Sequence, residues 1–138
     1  MSSNGANGRV DSAAVLICDD TILVRTMLKA IIGNSPALHV VGEATNGNEV
    51  VAEAKRLQPD VVLLDLAMPH RTGLEALPDL RRVAPDAKII VFSGFATTVV
   101  GAEVIALGAT CYLEKGADPD KIIATIQDTL TNNHDPRS

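Results

Sequence analysis

Five positions carry side chains that could do chemistry together. Asp19 and Asp20 follow the apolar run Val15-Leu16-Ile17-Cys18, Asp65 follows Val61-Val62-Leu63-Leu64, Ser93 follows Lys88–Phe92, and Lys115 follows Cys111-Tyr112-Leu113-Glu114. Three carboxylates at close quarters repel one another unless a cation neutralises them. A ligand set made only of oxygens favours magnesium over zinc. With such an ion nearby, one carboxylate can act as a nucleophile toward phosphorus while the metal offsets charge on the transferring group. Lys115 would then pair with phosphoryl oxygens as a point charge, and Ser93 could hydrogen-bond the same oxygens.

Taken singly, each residue has a plainer explanation. Asp19 and Asp20 could cap a helix, where acids are favoured. Asp65 could initiate a turn, Ser93-Gly94 could be an ordinary strand exit, and Lys115 could be a solvated charge. What sets them apart is the elements that must position them. Short β-branched runs at Ala14–Cys18, Leu38–Glu43, Val61–Leu64, Lys88–Phe92 and Thr110–Leu113 read as strands. Between them, apolar residues recur at helical spacing: Leu23, Met27, Leu28 and Ile31; Val50, Val51, Ala54 and Leu57; Leu74, Leu77, Leu80 and Ala84; Ile122, Ile123, Ile126 and Leu130. Thr97–Leu107 is a weaker helix, β-branched at Val99 and Val100 and interrupted by Gly101. Val61–Leu64 is apolar on both faces, as a parallel strand covered on each side should be. Alternating strands and helices predict an α/β three-layer, doubly wound parallel sheet. Such sheets bind ligands at the carboxyl ends of their strands, and four of the five strands end in one of the residues above.

Composition bounds the rest. The chain has 138 residues, 46% apolar and 2% aromatic, with a formal net charge of −5. That suits one domain with an aliphatic core. The acidic balance excludes a domain-wide basic footprint, so no direct nucleic-acid binding is expected, and the aromatic poverty excludes a stacking platform. No apolar run approaches a membrane span and no secretory h-region is evident, so a cytoplasmic location is expected. Cys18 and Cys111 read as buried free thiols, and the three His residues show no zinc-ligand spacing. Residues 1–12 read as a disordered arm, 13–131 as the domain and 132–138 as a tail.

At these residues the chain resembles the receiver domain of two-component response regulators. Asp19-Asp20 is similar to the family's acidic pair, Leu63-Leu64-Asp65-Leu66-Ala67-Met68-Pro69 to its phosphoacceptor strand and turn, Ser93 and Tyr112 to its switch residues, and Lys115 to its lysine. Val40-Val41-Gly42-Glu43-Ala44, Gly73-Leu74-Glu75 and Gly108-Ala109-Thr110-Cys111-Tyr112-Leu113-Glu114-Lys115 resemble receivers linked to a helix-turn-helix domain, the NarL/FixJ type. The resemblance implies a five-stranded sheet in order 2-1-3-4-5 and phosphoryl transfer from a histidine kinase or phosphotransfer protein onto Asp65. It implies magnesium held by Asp19, Asp20, Asp65 and the Ala67 backbone carbonyl, with Lys115 and Ser93 binding the phosphoryl group. Tyr112 would turn inward as Ser93 moves, altering the face of the fourth helix, fifth strand and fifth helix, through which a homodimer could form. Its strand order puts Cys18 and Cys111 roughly 14 Å apart, too far for a disulfide. Ala67 and Phe95, both apolar, flank the path of a hydrolysing water and would lengthen the lifetime of the phosphorylated state.

Some positions depart from the family's usual pattern. Thr72-Gly73 stands where Asp-Gly is common, Pro78 falls inside the third helix, and Gly116 follows Lys115 where a proline is common. Two other chemistries compete less well. A haloacid-dehalogenase-like phosphatase would need a second acid two residues after its nucleophile, but Ala67 stands there. A flavodoxin-like carrier would need a phosphate loop after the first strand. The chain is thus expected to act on itself rather than as an enzyme, either as a stand-alone receiver or as the receiver part of a DNA-binding regulator.

Overall fold

The computed structural model describes residues 12–94 and 98–132. Five strands, β1 (Ala13–Cys18), β2 (Leu38–Ala44), β3 (Val61–Leu64), β4 (Lys88–Ser93) and β5 (Cys111–Glu114), form one parallel sheet in the order β2-β1-β3-β4-β5. Five helices alternate with them: α1 (Ile22–Gly33), α2 (Gly47–Leu57), α3 (Gly73–Val83), α4 (Thr98–Ala106) and α5 (Pro119–Asn132). The order matches the doubly wound expectation.

The two sheet faces build separate cores. Leu16, Val62, Leu64, Ile89 and Val91 meet Val50, Ala54, Leu77, Leu80 and Val104 from α2, α3 and α4. Val15, Ile17, Leu63, Ile90 and Phe92 meet Leu28, Ile32, Ile122 and Ile126 from α1 and α5. β3 is buried along its whole length, as its two-sided apolar sequence requires. Cys18 is buried, Cys111 half-buried, and both thiols are free. No helix among the described residues is long and apolar enough to cross a membrane.

The structure corrects some sequence expectations. Leu23 and Met27, read as part of the buried stripe of α1, are 76% and 40% exposed. The buried face is instead Leu28 and Ile32, with Val24 and Ile31 packed beside them. β4 runs one residue further than expected because Ser93 pairs with Glu114, and β5 begins one residue later. The Thr110 hydroxyl accepts from the Ile89 amide at 3.0 Å. Pro78 does not end α3, although its missing N–H removes one helical bond to Leu74. Thr72 and Glu75 close a reciprocal capping box at the start of that helix, so the Thr-Gly pair serves where Asp-Gly is common. Arg81 on α3 donates to the carbonyls of Gly108 at 2.8 Å, Pro85 at 2.9 Å and Ala87 at 2.8 Å. Gly108, at the turn between α4 and β5, has a φ of 118°, which a glycine adopts without strain.

Candidate functional site

The sheet ladder continues beyond the strands and carries the site with it. The Asp19 amide donates to Ala44 at 3.0 Å, that of Asp65 to Cys18 at 2.9 Å, and that of Lys115 to Ser93 at 2.9 Å. Each residue is therefore fixed by the neighbouring strand rather than by its own loop. Asp19 is 1% exposed and Asp65 3%, whereas Asp20 is exposed.

Each buried carboxylate divides its oxygens between two tasks. Asp19 Oδ1 accepts from the Thr21 amide at 2.9 Å, and Asp65 Oδ1 accepts from the Ala67 amide at 3.2 Å. The turn-forming role considered for Asp65 alone is thus present, and it coexists with a role in the cluster. The other oxygens face a cation: Lys115 Nζ lies 2.7 Å from Asp19 Oδ2 and 3.2 Å from Asp65 Oδ2. Neither acid takes the N-cap position of α1, which falls to Thr21, whose side chain makes no cap hydrogen bond.

Carboxylate oxygens of Asp19, Asp20 and Asp65 lie within 4.8 Å of one another. One ammonium cannot balance three carboxylates. Asp19 Oδ2 is buried and receives no well-aligned hydrogen bond, only the ion pair with Lys115. An all-oxygen set with an excess of negative charge and a buried, under-satisfied oxygen fits a hard divalent cation such as Mg2+. Burial pushes the Asp65 pKa above the ordinary carboxylate value, and the Asp19 charge adds to the rise. The Ala67 amide and Lys115 oppose it but do not cancel it. For Lys115, burial disfavours the charged form, but contact with Asp19 and the charge of Asp65 outweigh it, so its pKa stands above the usual value.

Ser93 is fully buried at the end of β4, one strand over from Asp65. Tyr112 packs against the core on the α2, α3 and α4 face, its hydroxyl oxygen shielded from solvent. Burial raises its pKa, the Glu114 charge adds to this, and contact with Ser93 works the other way. The hydroxyl is thus sheltered from solvent and near Ser93. Ala67 is exposed two residues past Asp65. Phe95 lies outside the described residues.

Two contacts of the site could not be read from the sequence, although Gly73 itself stands out there. Arg25 donates to the Asp19 carbonyl at 2.9 Å and to Glu43 Oε1 at 2.8 Å, joining α1 and β2 to the acidic turn. Gly73 begins α3 directly against the Asp65 backbone, and its amide donates to Leu66 at 3.0 Å. Neither interaction follows a short periodic spacing.

Comparison with known proteins agrees with this geometry. A family profile described as "Response regulator receiver domain" matches residues 15–127. The "Chemotaxis protein CheY" of Thermotoga maritima is 38% identical over 112 residues, covering 81% of this chain and 92% of that protein. The "Nitrate/nitrite response regulator protein NarL" of Escherichia coli is 36% identical over 116 residues, covering 84% of this chain but 54% of its own length. Among solved structures, the signal receiver domain of the putative response regulator NarL from Mycobacterium tuberculosis superposes with a TM-score of 0.82 at 25% identity, covering 87% of this chain and 97% of that one. Sequence motifs, strand order and the clustered carboxylates lead to one conclusion: this chain belongs to the response regulator receiver domain family.

Proposed function

We propose that Asp65 is the phosphoacceptor of this receiver and that it takes its phosphoryl group from a phosphohistidine on a kinase or phosphotransfer protein. The observation that carries this reading is the buried Asp65 carboxylate held beside Lys115 and within reach of Asp19 and Asp20. In the transfer, an Asp65 oxygen forms a bond to phosphorus as the donor's N–P bond breaks, and the leaving imidazole keeps the electron pair. Lys115 holds negative charge on the transferring oxygens, and the buried surroundings exclude bulk water. Asp19, Asp20, Asp65 and the Ala67 carbonyl would hold Mg2+, which when bound offsets charge on the phosphoryl group. The product adds roughly 1.5 to 2 negative charges at the sheet edge. Ser93 would bond to it, and Ser93 and Tyr112 would then pass the change to the face formed by α4, β5 and α5, where a second copy could dock. Apolar residues at Ala67 and Phe95 would slow hydrolysis.

The protein acts on its own side chain and turns over no separate substrate. A donor protein must reach Asp65 across the sheet edge, beside which α1 exposes Ile22, Leu23 and Met27. The test is incubation with Mg2+ and acetyl phosphate followed by intact mass. A phosphoryl adduct absent from Asp65→Asn is expected; no adduct on the wild-type chain would overturn the reading.

The proposed receiver spans residues 13–131; the sequence-read arm and tail lie, apart from residues 12 and 132, outside the described residues. A receiver joined to a DNA-binding domain is the second arrangement, favoured by the chain's spanning about half the length of NarL. The native open reading frame beyond this segment decides between the two.

A further inference from the structure

The two acids of the Asp19-Asp20 pair branch from the two ends of a single peptide unit, the one containing the Asp19 carbonyl. Three contacts control that plane. The Asp19 amide is anchored to Ala44, the Thr21 amide donates to Asp19 Oδ1, and the carbonyl itself accepts from Arg25 Nη1 at 2.9 Å. The first two act on the Asp19 amide and side chain. Of these three contacts among the described residues, that of Arg25 is the one made to the carbonyl, whose plane orients both carboxylates.

Arg25 is itself held. Its Nε donates to Glu43 Oε1 at 2.8 Å, while Lys29 Nζ donates to Glu43 Oε2 at 3.0 Å. Glu43 stands near the end of β2, paired in register with Ile17 of β1. The Lys29 hydrogen bond and the contact with Arg25 keep its carboxyl below the ordinary range against the opposing effect of its partial burial, so it stays ionised. The Arg25 side chain is 14% exposed, which limits the screening of these contacts by water. The guanidinium uses separate N–H groups for the carbonyl and the carboxylate at once. A lysine, with a compact charge and no planar fork, does not reproduce that geometry.

We infer that Arg25, set by Glu43, is a positioning residue for cation uptake: it fixes the peptide plane from which Asp19 and Asp20 reach the ion. Partners that orient metal-binding carboxylates commonly contribute about 10–100-fold in metal affinity. The inference rests on the reading of the acidic cluster as a cation site. It goes beyond that reading by assigning a role to two residues on α1 and β2 that touch neither ion nor phosphate.

A plain staple between α1 and β2 would behave differently, and Lys29 is the control, because it shares Glu43 but makes no contact with Asp19. Mg2+ binding is measured by calorimetry on the wild type, Arg25→Met, Arg25→Lys and Lys29→Met, well below each melting temperature. Phosphorylation by acetyl phosphate is followed across the same Mg2+ range. Arg25→Met and Arg25→Lys are expected to raise the Mg2+ midpoint by about tenfold or more. Their phosphorylation rate should return close to wild type at saturating Mg2+, and Lys29→Met should shift the midpoint by less than about twofold. A wild-type midpoint in both Arg25 variants, or equal shifts in Arg25→Met and Lys29→Met, overturns the inference. Should Arg25→Met fail to fold, Arg25→Lys and Glu43→Gln give the same reading. A wild-type chain that binds no Mg2+ and takes no phosphoryl group would instead overturn the proposed function itself.

Discussion

Gly73 and Asp65 share a contact with no room for a side chain: a β-carbon on Gly73 would overlap the Asp65 carbonyl oxygen and crowd Leu66. The first residue of α3 is thereby locked to the backbone of the proposed phosphoacceptor. Gly73→Ala should cost about 1–3 kcal/mol, the usual range for overpacking a rigid site. Because the strain falls on Asp65 itself, phosphorylation by acetyl phosphate should slow further than the loss of folded protein explains. Urea denaturation together with adduct formation checks both parts.

Asp65 supplies a prediction about pH. Burial, and then the Asp19 charge, raise its folded pKa above the unfolded value. Between those two values the folded state binds the proton more tightly, so stability falls as pH rises through the window. Below the unfolded value, near the ordinary carboxylate range, the penalty vanishes. Asp65→Asn should therefore melt above wild type at neutral pH, with the gap closing as the pH is lowered to about 4. Added Mg2+ should raise the melting temperature of the wild type more than that of the variant. Thermal melts across this range test the sign; a gap that widens in acid would contradict it.

Lys115 is the cation that the structure places against Asp19 and Asp65. Removing it in Lys115→Met leaves the buried carboxylates facing each other and should cost about 1–3 kcal/mol without divalent cation. The variant should bind Mg2+ more tightly than wild type, since no ammonium competes for the same oxygens. It should nevertheless accumulate less phosphorylated protein, having lost the group proposed to pair with phosphoryl oxygens. Calorimetry and intact mass together distinguish these opposite effects.

Leu23 is 76% exposed on the helix that begins just after the acidic pair. Leu23→Asp should change stability by no more than about 0.5 kcal/mol, as surface substitutions do. Loss of an apolar anchor from a protein interface commonly costs about 2 kcal/mol or more. Transfer from a phosphohistidine donor protein should therefore fall by about tenfold or more, while labelling by acetyl phosphate stays unchanged. A parallel fall with the small donor would show that Leu23 acts on the site and not on docking.

The cluster was legible in the sequence because strand ends and polar residues coincide: each of Asp19, Asp65, Ser93 and Lys115 closes an apolar run. Periodicity alone could not give the strand order, since any parallel arrangement of the same runs has the same pattern; the resemblance supplied it. Helical spacing misplaced Leu23 and Met27 because a stripe of apolar residues can face a partner as easily as a core. The Arg25–Glu43 contact spans 18 positions and joins a helix to a strand, so no local spacing marks it. Gly73 stands out in the sequence only within the Thr72-Gly73 pair and Gly73-Leu74-Glu75, and its tight approach to Asp65 depends on the path of the intervening turn.

Arg81 gives the far side of the fold a fixed pivot. Its guanidinium rivets the Gly108 end of α4 to α3 and to the entry of β4, while Val104 is sunk in the core nearby. The opposite end of α4, at Thr98, follows Ser93 in the chain by five residues. With one end pinned, a push arriving from Ser93, if the proposed switch operates, would act on α4 as on a lever arm, with the largest travel at the end nearest the chemistry and the least at Gly108.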